Sequence, residues 1–404
     1  GGCDRRSHSR FVATGKGQSA CGAGAARWTY HYCRCSGARS TAGRGGHVIM
    51  PLALRRLLLG ALFGAPLALA VAQSTGSAPP TNAWPGSTVL YRADYPRIVS
   101  AGRGGVTLLV APFLRGVQDG TSGLLTLNTA TGATDALFRS SAGMLPNHLG
   151  PVVDDGAQLY WLNGLRIMQT SRQTRQTKLL SDKGALAMAL HAGAVFTFNH
   201  NNERKLLRID TGSGQVSELA TLPFVANTLH ADANGVWLLT SPSPLRQSSA
   251  VVRFDLASRQ STDVVVAADS AAQIRALVPY AATPTQAGSS TFAGLYLVER
   301  NVRSNRVSVK HYDIRSGQLT TLPIDAIDEL SPMRADASAL YYFAPESRQF
   351  GAPVVLYRHA LAEGKAQPLS RGSTPATSLW VLPGEGATGR VLWTDLARVY
   401  TVDW

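Results

Sequence analysis

Residues 185–222 read ALAMALHAGAVFTFNHNNERKLLRIDTGSGQVSELATL. The segment divides itself into an apolar stretch, a tight turn at Gly193, AVFTFN, a polar loop HNNER, KLLRID, the turn TGSG, and QVSELATL. Short aliphatic and aromatic runs bounded by Gly, Asp and Asn predict four antiparallel strands joined by hairpins. One such sheet is too small to bury its own faces, so the reading requires copies that stack.

The copies are present. The third strand with its following turn recurs as LLTLNTATGATDAL, RIMQTSRQTRQTKL, LLRIDTGSGQVSEL, VVRFDLASRQSTDV, VKHYDIRSGQLTTL, LYRHALAEGKAQPL and VYTVDW. Its turn-opening residues are Asn128, Gln169, Asp210, Asp255, Asp313, Ala360 and Asp403, spaced 41 to 58 residues apart. The second strand recurs as VTLLV, LYWLN, VFTFN, VWLLT, LYLVE, LYYFA and VLWTD, apolar enough to be sandwiched between neighbouring sheets. Repetition on this scale predicts an all-β fold, a β-propeller of seven four-stranded antiparallel blades. The long interval from Val264 to Asp313 leaves six or eight blades as the alternatives. The seventh phrase stops before its outer strand, whereas Ser87–Arg92 (STVLYR) offers a spare one, so the last blade is expected to be closed by the N-terminal strand.

Upstream of the repeats the chain changes character. Residues 1–49 carry all four cysteines (Cys3, Cys21, Cys33, Cys35) without hydrophobic periodicity, and are expected to be an untranslated or disordered leader. Met50 opens MPLALRRLLLGALFGAPLALAVAQ, with Arg55 and Arg56 before an apolar run and Ala70-Val71-Ala72 as a small-x-small cleavage site, so 50–72 reads as a secretory signal peptide. Pro66 interrupts the apolar run, which at about 16 residues is shorter than the ~20 of a spanning helix. Residues 73–86 read as a flexible linker, and 87–404 as the propeller domain. The expected location is periplasmic or secreted, with no membrane span after cleavage.

The overall net charge of +14 does not survive removal of the leader. Residues 1–72 hold 10 of the 39 Lys and Arg but one of the 25 acidic residues, leaving 29 against 24, or +5. A nucleic-acid partner is therefore not expected. The cysteine spacing fits no zinc pattern, and the Asp-rich turns lack the dense oxygen ligands of calcium loops, so no metal site is expected.

The repeat resembles exported propellers of the TolB-like type in its apolar-Asp-x-x-Thr/Ser-Gly phrase and lead-ins such as VVDDGAQLYW. LYWLN and VLWTDLARVYTV also resemble the tyrosine-tryptophan-threonine-aspartate repeats of receptor propellers. Asp232 to Trp237 is similar to blades of streptogramin-lyase propellers, in one copy. Quinone-dependent propellers carry a Trp shortly after the turn glycine; here Leu137, Leu179, Leu219, Val264, Leu322 and Leu369 stand instead, so no quinone cofactor is expected, and no other cofactor either. The resemblance implies the fold and leaves activity open.

Ligand-binding candidates follow from topology. Loops between the second and third strands, and between blades, emerge on one face around the central channel. The longer ones are 140–150, 199–204, 241–249, 299–306, 325–332 and 344–353, with only short turns expected opposite. Near the starts of the innermost strands lie Tyr95, Arg97, His148, Asn227, Arg275, Arg334 and Trp380, which suit an anionic or carbohydrate-like ligand. Pairing of these arginines with Asp325, Asp328 or Glu329 is the competing reading. The sequence fits a monomer that binds a protein partner or small polar ligand without catalysis. Its alternative is a lyase or hydrolase in which His148 or His200 is the base beside Arg334. His191 and His230 fall at the short-turn ends of their strands and read as turn residues.

Overall fold

A computed structural model describes Trp84–Trp404 apart from 94, 103–104, 111–122, 140–148, 184–186, 200–203, 245, 282–290, 325–327, 329–330, 348, 350 and 384–388. The compact unit that contains these residues is Ser77–Trp404. The leader and the proposed signal peptide lie outside the described residues. The described elements are 28 strands in seven four-stranded antiparallel sheets, so the chain is a seven-bladed β-propeller. No helix among the described residues is long and apolar enough to cross a membrane.

The inner strands of blades 1 to 7 are Arg97–Gly102, Leu149–Asp154, Met188–His191, Ala226–Asp232, Ala272–Ala281, Met333–Ala335 and Ser378–Pro383. Each touches the next around the axis, and Ser378–Pro383 returns to Arg97–Gly102. The closure is the one expected from the sequence: Thr88–Arg92 is the outer strand of blade 7, with Thr88 opposite Thr401 and Arg92 opposite Arg398. The C-terminal third strand therefore has no open edge.

Trp84, within the expected linker, is part of the packed ring. Trp84 has no exposed surface and wedges between blades 6 and 7. Its ring meets Phe343 and Trp393 edge-on at 5.5 and 5.4 Å, and its Nε1 donates to Thr374 Oγ1 at 3.1 Å. Gly372 makes room for it, because a Cβ there would lie 2.2 Å from the indole. A single Trp among Pro, Ser and Thr carries no period, so its burial left no mark in the sequence pattern.

The turn after the third strand explains the repeated phrase. In blade 3 the Asp210 carboxylate accepts from the Gly212 and Ser213 amides, and Gly214 donates its amide to the Asp210 carbonyl at 2.8 Å. Gly214 must then turn left-handed, at φ +74°, where a side chain is disfavoured. Asn128, Asp255 and Asp313 open equivalent turns. In blade 2 the turn opens at Ser171, not at Gln169: the Arg175 amide bonds the Ser171 carbonyl, and Gln169 stays inside its strand opposite Tyr160.

The dry core lies between blades. One cluster joins Phe196, Phe198 and Leu206 of blade 3 to Leu229, Val236 and Val252 of blade 4. Every residue of the second strand of blade 4, Gly235–Thr240, is buried, whereas Thr134–Arg139 at the rim of blade 1 is largely exposed. This gradient is why second strands read as continuous apolar runs and outer strands as alternating ones.

Candidate functional site

Pairing between the first two strands of each blade fixes depth along the channel. The inner-strand residue opposite the second position of the second-strand core is Ser100, Val153, Ala189, His230, Val278, Arg334 and Trp380 in blades 1 to 7. These seven form one layer. Each polar or aromatic member reaches the following blade. Ser100 donates to the Asp154 carboxylate of blade 2 at 2.5 Å, and His230 Nε2 donates to the Leu277 carbonyl of blade 5 at 3.2 Å. The Arg334 guanidinium lies 4.4 Å over the Trp380 ring of blade 7, and Trp380 Nε1 donates to the Ala101 carbonyl of blade 1 at 3.1 Å.

Within this layer the Arg334 charge acts on the His230 imidazole. Burial, reinforced by the Arg334 charge, pushes the His230 imidazole down to about 4, and its bond to Leu277 only partly offsets this. His230 is therefore neutral near pH 7. Burial likewise pushes the Arg334 guanidinium down to about 10. Arg334 remains a cation, and no carboxylate pairs with it among the described residues: its one hydrogen bond there is Nη1 to the Met333 carbonyl at 3.1 Å.

The other candidates separate from this layer. Arg97, Asn227 and Arg275 are exposed near the starts of their strands, at the mouth of the channel on the face of the blade-to-blade loops. Asn227 and Arg275 occupy equivalent β-bulges, between Ala226 and Thr228 and between Ile274 and Ala276. An extra residue there re-aims its side chain away from the regular pleat. Asn227 Nδ2 donates to Ser241 Oγ. Tyr95 sits just before the first inner strand in a left-handed conformation, φ +48°, its amide donating to the Leu396 carbonyl at 2.8 Å. His148 and His200 lie outside the described residues, as do Asp325 and Glu329. Thus Arg334 and Trp380 belong together with His230 at mid-depth, while Arg97, Asn227 and Arg275 belong to the mouth.

His230 was missed because its place at the end of a strand reads as turn chemistry. The signal that finds it is spacing: Ser100, Val153, Ala189, His230 and Arg334 each stand seven residues before their strand-two partners Thr107, Tyr160, Phe196, Trp237 and Tyr341. The loop expectation also needs correction. Residues 299–306 are mostly a continued hairpin, with Glu299 opposite Ser308 and Asn301 opposite Arg306. The opposite face is not uniformly short, since 282–291 and 384–388 join first to second strands there.

Away from the channel, a polar cleft of about 500 Å³ opens on blade 2, lined by Gln158, Gln169, Ser171, Thr174, Gln176, Thr177 and Lys178. Among the described residues no three His, Cys, Asp or Glu side chains converge as metal ligands would.

No family model and no curated protein matches the chain. Solved structures do. Oligogalacturonate lyase from Vibrio parahaemolyticus aligns with a TM-score of 0.55 at 11% identity, over 78% of this chain and 92% of that one. The WD40 domain of Neurospora crassa Pan2 aligns at 0.50 and 11% identity, over 78% and 94%. TolB from Acinetobacter baumannii aligns at 0.38 and 11% identity, over 76% and 78%. At such identities the likeness is one of fold.

Proposed function

We propose that the chain is exported through residues 50–72 and that its propeller binds a small polar or anionic ligand, entering from the loop-bearing mouth of the channel, without transforming it. The observation that supports this reading is the grouping of Arg97, Asn227 and Arg275, exposed from three blades at one end of the axis, with two of them set on matching bulges. Regular strands would turn those side chains between blades, so the bulges favour recognition at the mouth. Arginine at two of the three positions favours an anion, through its planar fork of donors.

Screening anionic small molecules by the rise they cause in the thermal midpoint tests the proposal. A ligand found this way is expected to lose at least about tenfold in affinity, roughly 1.4 kcal/mol, in Arg97→Gln or Arg275→Gln. Retention of full affinity in both variants rejects the mouth as the site. Turnover of the bound compound, abolished by His148→Ala or His200→Ala, replaces this reading with the catalytic one.

A further inference from the structure

Resting on the ligand-binding reading above, we infer that the ligand carries a carboxylate, and that Arg334 receives it within the channel layer shared with His230 and Trp380. A partly buried guanidinium such as that of Arg334 gains most by pairing its fork of donors with an acid. Arg334 instead has an aromatic ring beneath it and one main-chain carbonyl on Nη1. Its Nε–Nη2 edge, two parallel N–H groups, has no partner among the described residues. That edge matches the two oxygens of a planar carboxylate, and the Trp380 ring, itself tied to Ala101, holds the guanidinium plane in position for it.

The rest of the layer narrows the class. Ser100 is committed to Asp154 and Thr107, His230 is neutral and already donating to Leu277, and Val153, Ala189 and Val278 bring no charge. Arg172, which also reaches Ser100, is already paired with Asp154, so Arg334 is the cation in the layer that has no carboxylate among the described residues and can meet one anionic group. A single guanidinium matches the one charge of a monocarboxylate and only half that of a phosphate dianion. The two tiers then divide the work: the mouth admits the ligand and the layer anchors its acid group.

Calorimetric titration of the full chain with sodium acetate, against sodium chloride at matched ionic strength, reads this directly. Saturable acetate binding is expected, weaker by at least about tenfold both in Arg334→Gln and in Arg334→Lys, which keeps the charge but loses the two-point fork. If Arg334→Gln fails to fold, Arg334→Lys carries the test. Lys178→Gln, in the cleft on blade 2, is expected to bind acetate as the parent does. Acetate binding no better than chloride, binding unchanged in Arg334→Lys, loss in Lys178→Gln instead, or inorganic phosphate binding more tightly than acetate each overturns the proposal. Mouth variants separate the two readings: acetate binding that needs Arg334 while Arg97→Gln and Arg275→Gln leave every ligand untouched refutes the mouth and keeps the anchor.

Discussion

Replacing Trp84 by Ala removes the indole that fills the join between blades 6 and 7, where it has no exposed surface. A buried aromatic of this size hides about 150–250 Å², worth roughly 4–6 kcal/mol at ~25 cal/mol/Å², and measured Trp→Ala losses in cores run about 3–5 kcal/mol. The hydrogen bond from Nε1 to Thr374 goes with it, leaving Thr374 still bonded to Asp395 at 3.1 Å. An expected loss of about 4 kcal/mol follows, read by urea unfolding. Gly372 supplies the sharper test, since its added Cβ would sit 2.2 Å from the Trp84 ring. Gly372→Ala alone should cost about 1–3 kcal/mol by overpacking. In the Trp84→Ala background the same methyl enters the hole, and its cost should fall to about zero or turn favourable. The double-mutant cycle should therefore show a coupling of at least about 1 kcal/mol. Additive costs would refute the claim that Trp84 occupies this join, and with it the placement of the domain boundary upstream of residue 84.

Three further outcomes follow from the same geometry. Arg259 holds φ +57° at the turn position that is Gly in blades 1, 3, 5 and 6, so Arg259→Gly should stabilise the fold by about 1 kcal/mol, a rise of about 1–2 °C in thermal midpoint. His230 is depressed to about 4 in the folded state, so below its unfolded value near 6.5 the unfolded chain binds the extra proton and stability falls with pH until about 4. Up to about 3 kcal/mol is at stake, and a stability–pH curve of His230→Gln that keeps the parent's slope between those limits would contradict it. Asp232 is fully buried and accepts from the amides of Asn234, Gly235 and Phe292 and from Trp237 Nε1, so Asp232→Asn presents a donor where only donors converge. Its expected cost is about 1–3 kcal/mol by chemical denaturation.

The ring was legible because its determinants are local and repeated. The left-handed residue after the third strand is Gly in blades 1, 3, 5 and 6, and an Asp or Asn four residues before it binds the turn amides in blades 1, 3, 4 and 5; these needs write themselves into the chain at most blades. Closure by Thr88–Arg92 was legible for a related reason: a third strand ending at the C-terminus without a partner leaves a row of unpaired amides, and one apolar strand upstream was unassigned. Trp84 was not legible because it belongs to no repeat and its partners, Phe343, Trp393 and Tyr400, come from distant parts of the chain. Gln169 was misplaced by two residues because RIMQTSRQT lacks the Asp and Gly that mark the turn elsewhere, and Ser171 with Arg175 does their work.

The channel layer shows why function is harder to read than fold in such a ring. At that depth each inner-strand side chain must meet the following blade, and the fold accepts several solutions: methyl contact at Val153, Ala189 and Val278, a hydroxyl to a carboxylate at Ser100, an imidazole to a carbonyl at His230, a cation over an indole at Arg334. Because any of these seals the join, the repeat imposes no residue type there, and no periodic signal sets Arg334 or His230 apart from Val153. What sets Arg334 apart is charge. A hydroxyl, an imidazole and an indole each find their partner in the next blade, but the guanidinium finds an aromatic face and one carbonyl, with no carboxylate beside it among the described residues. Valine or serine would seal the same join without a cation. The excess of cation over what the join requires therefore marks Arg334, more than its neighbours in the layer, as the place where something from outside the chain completes the channel.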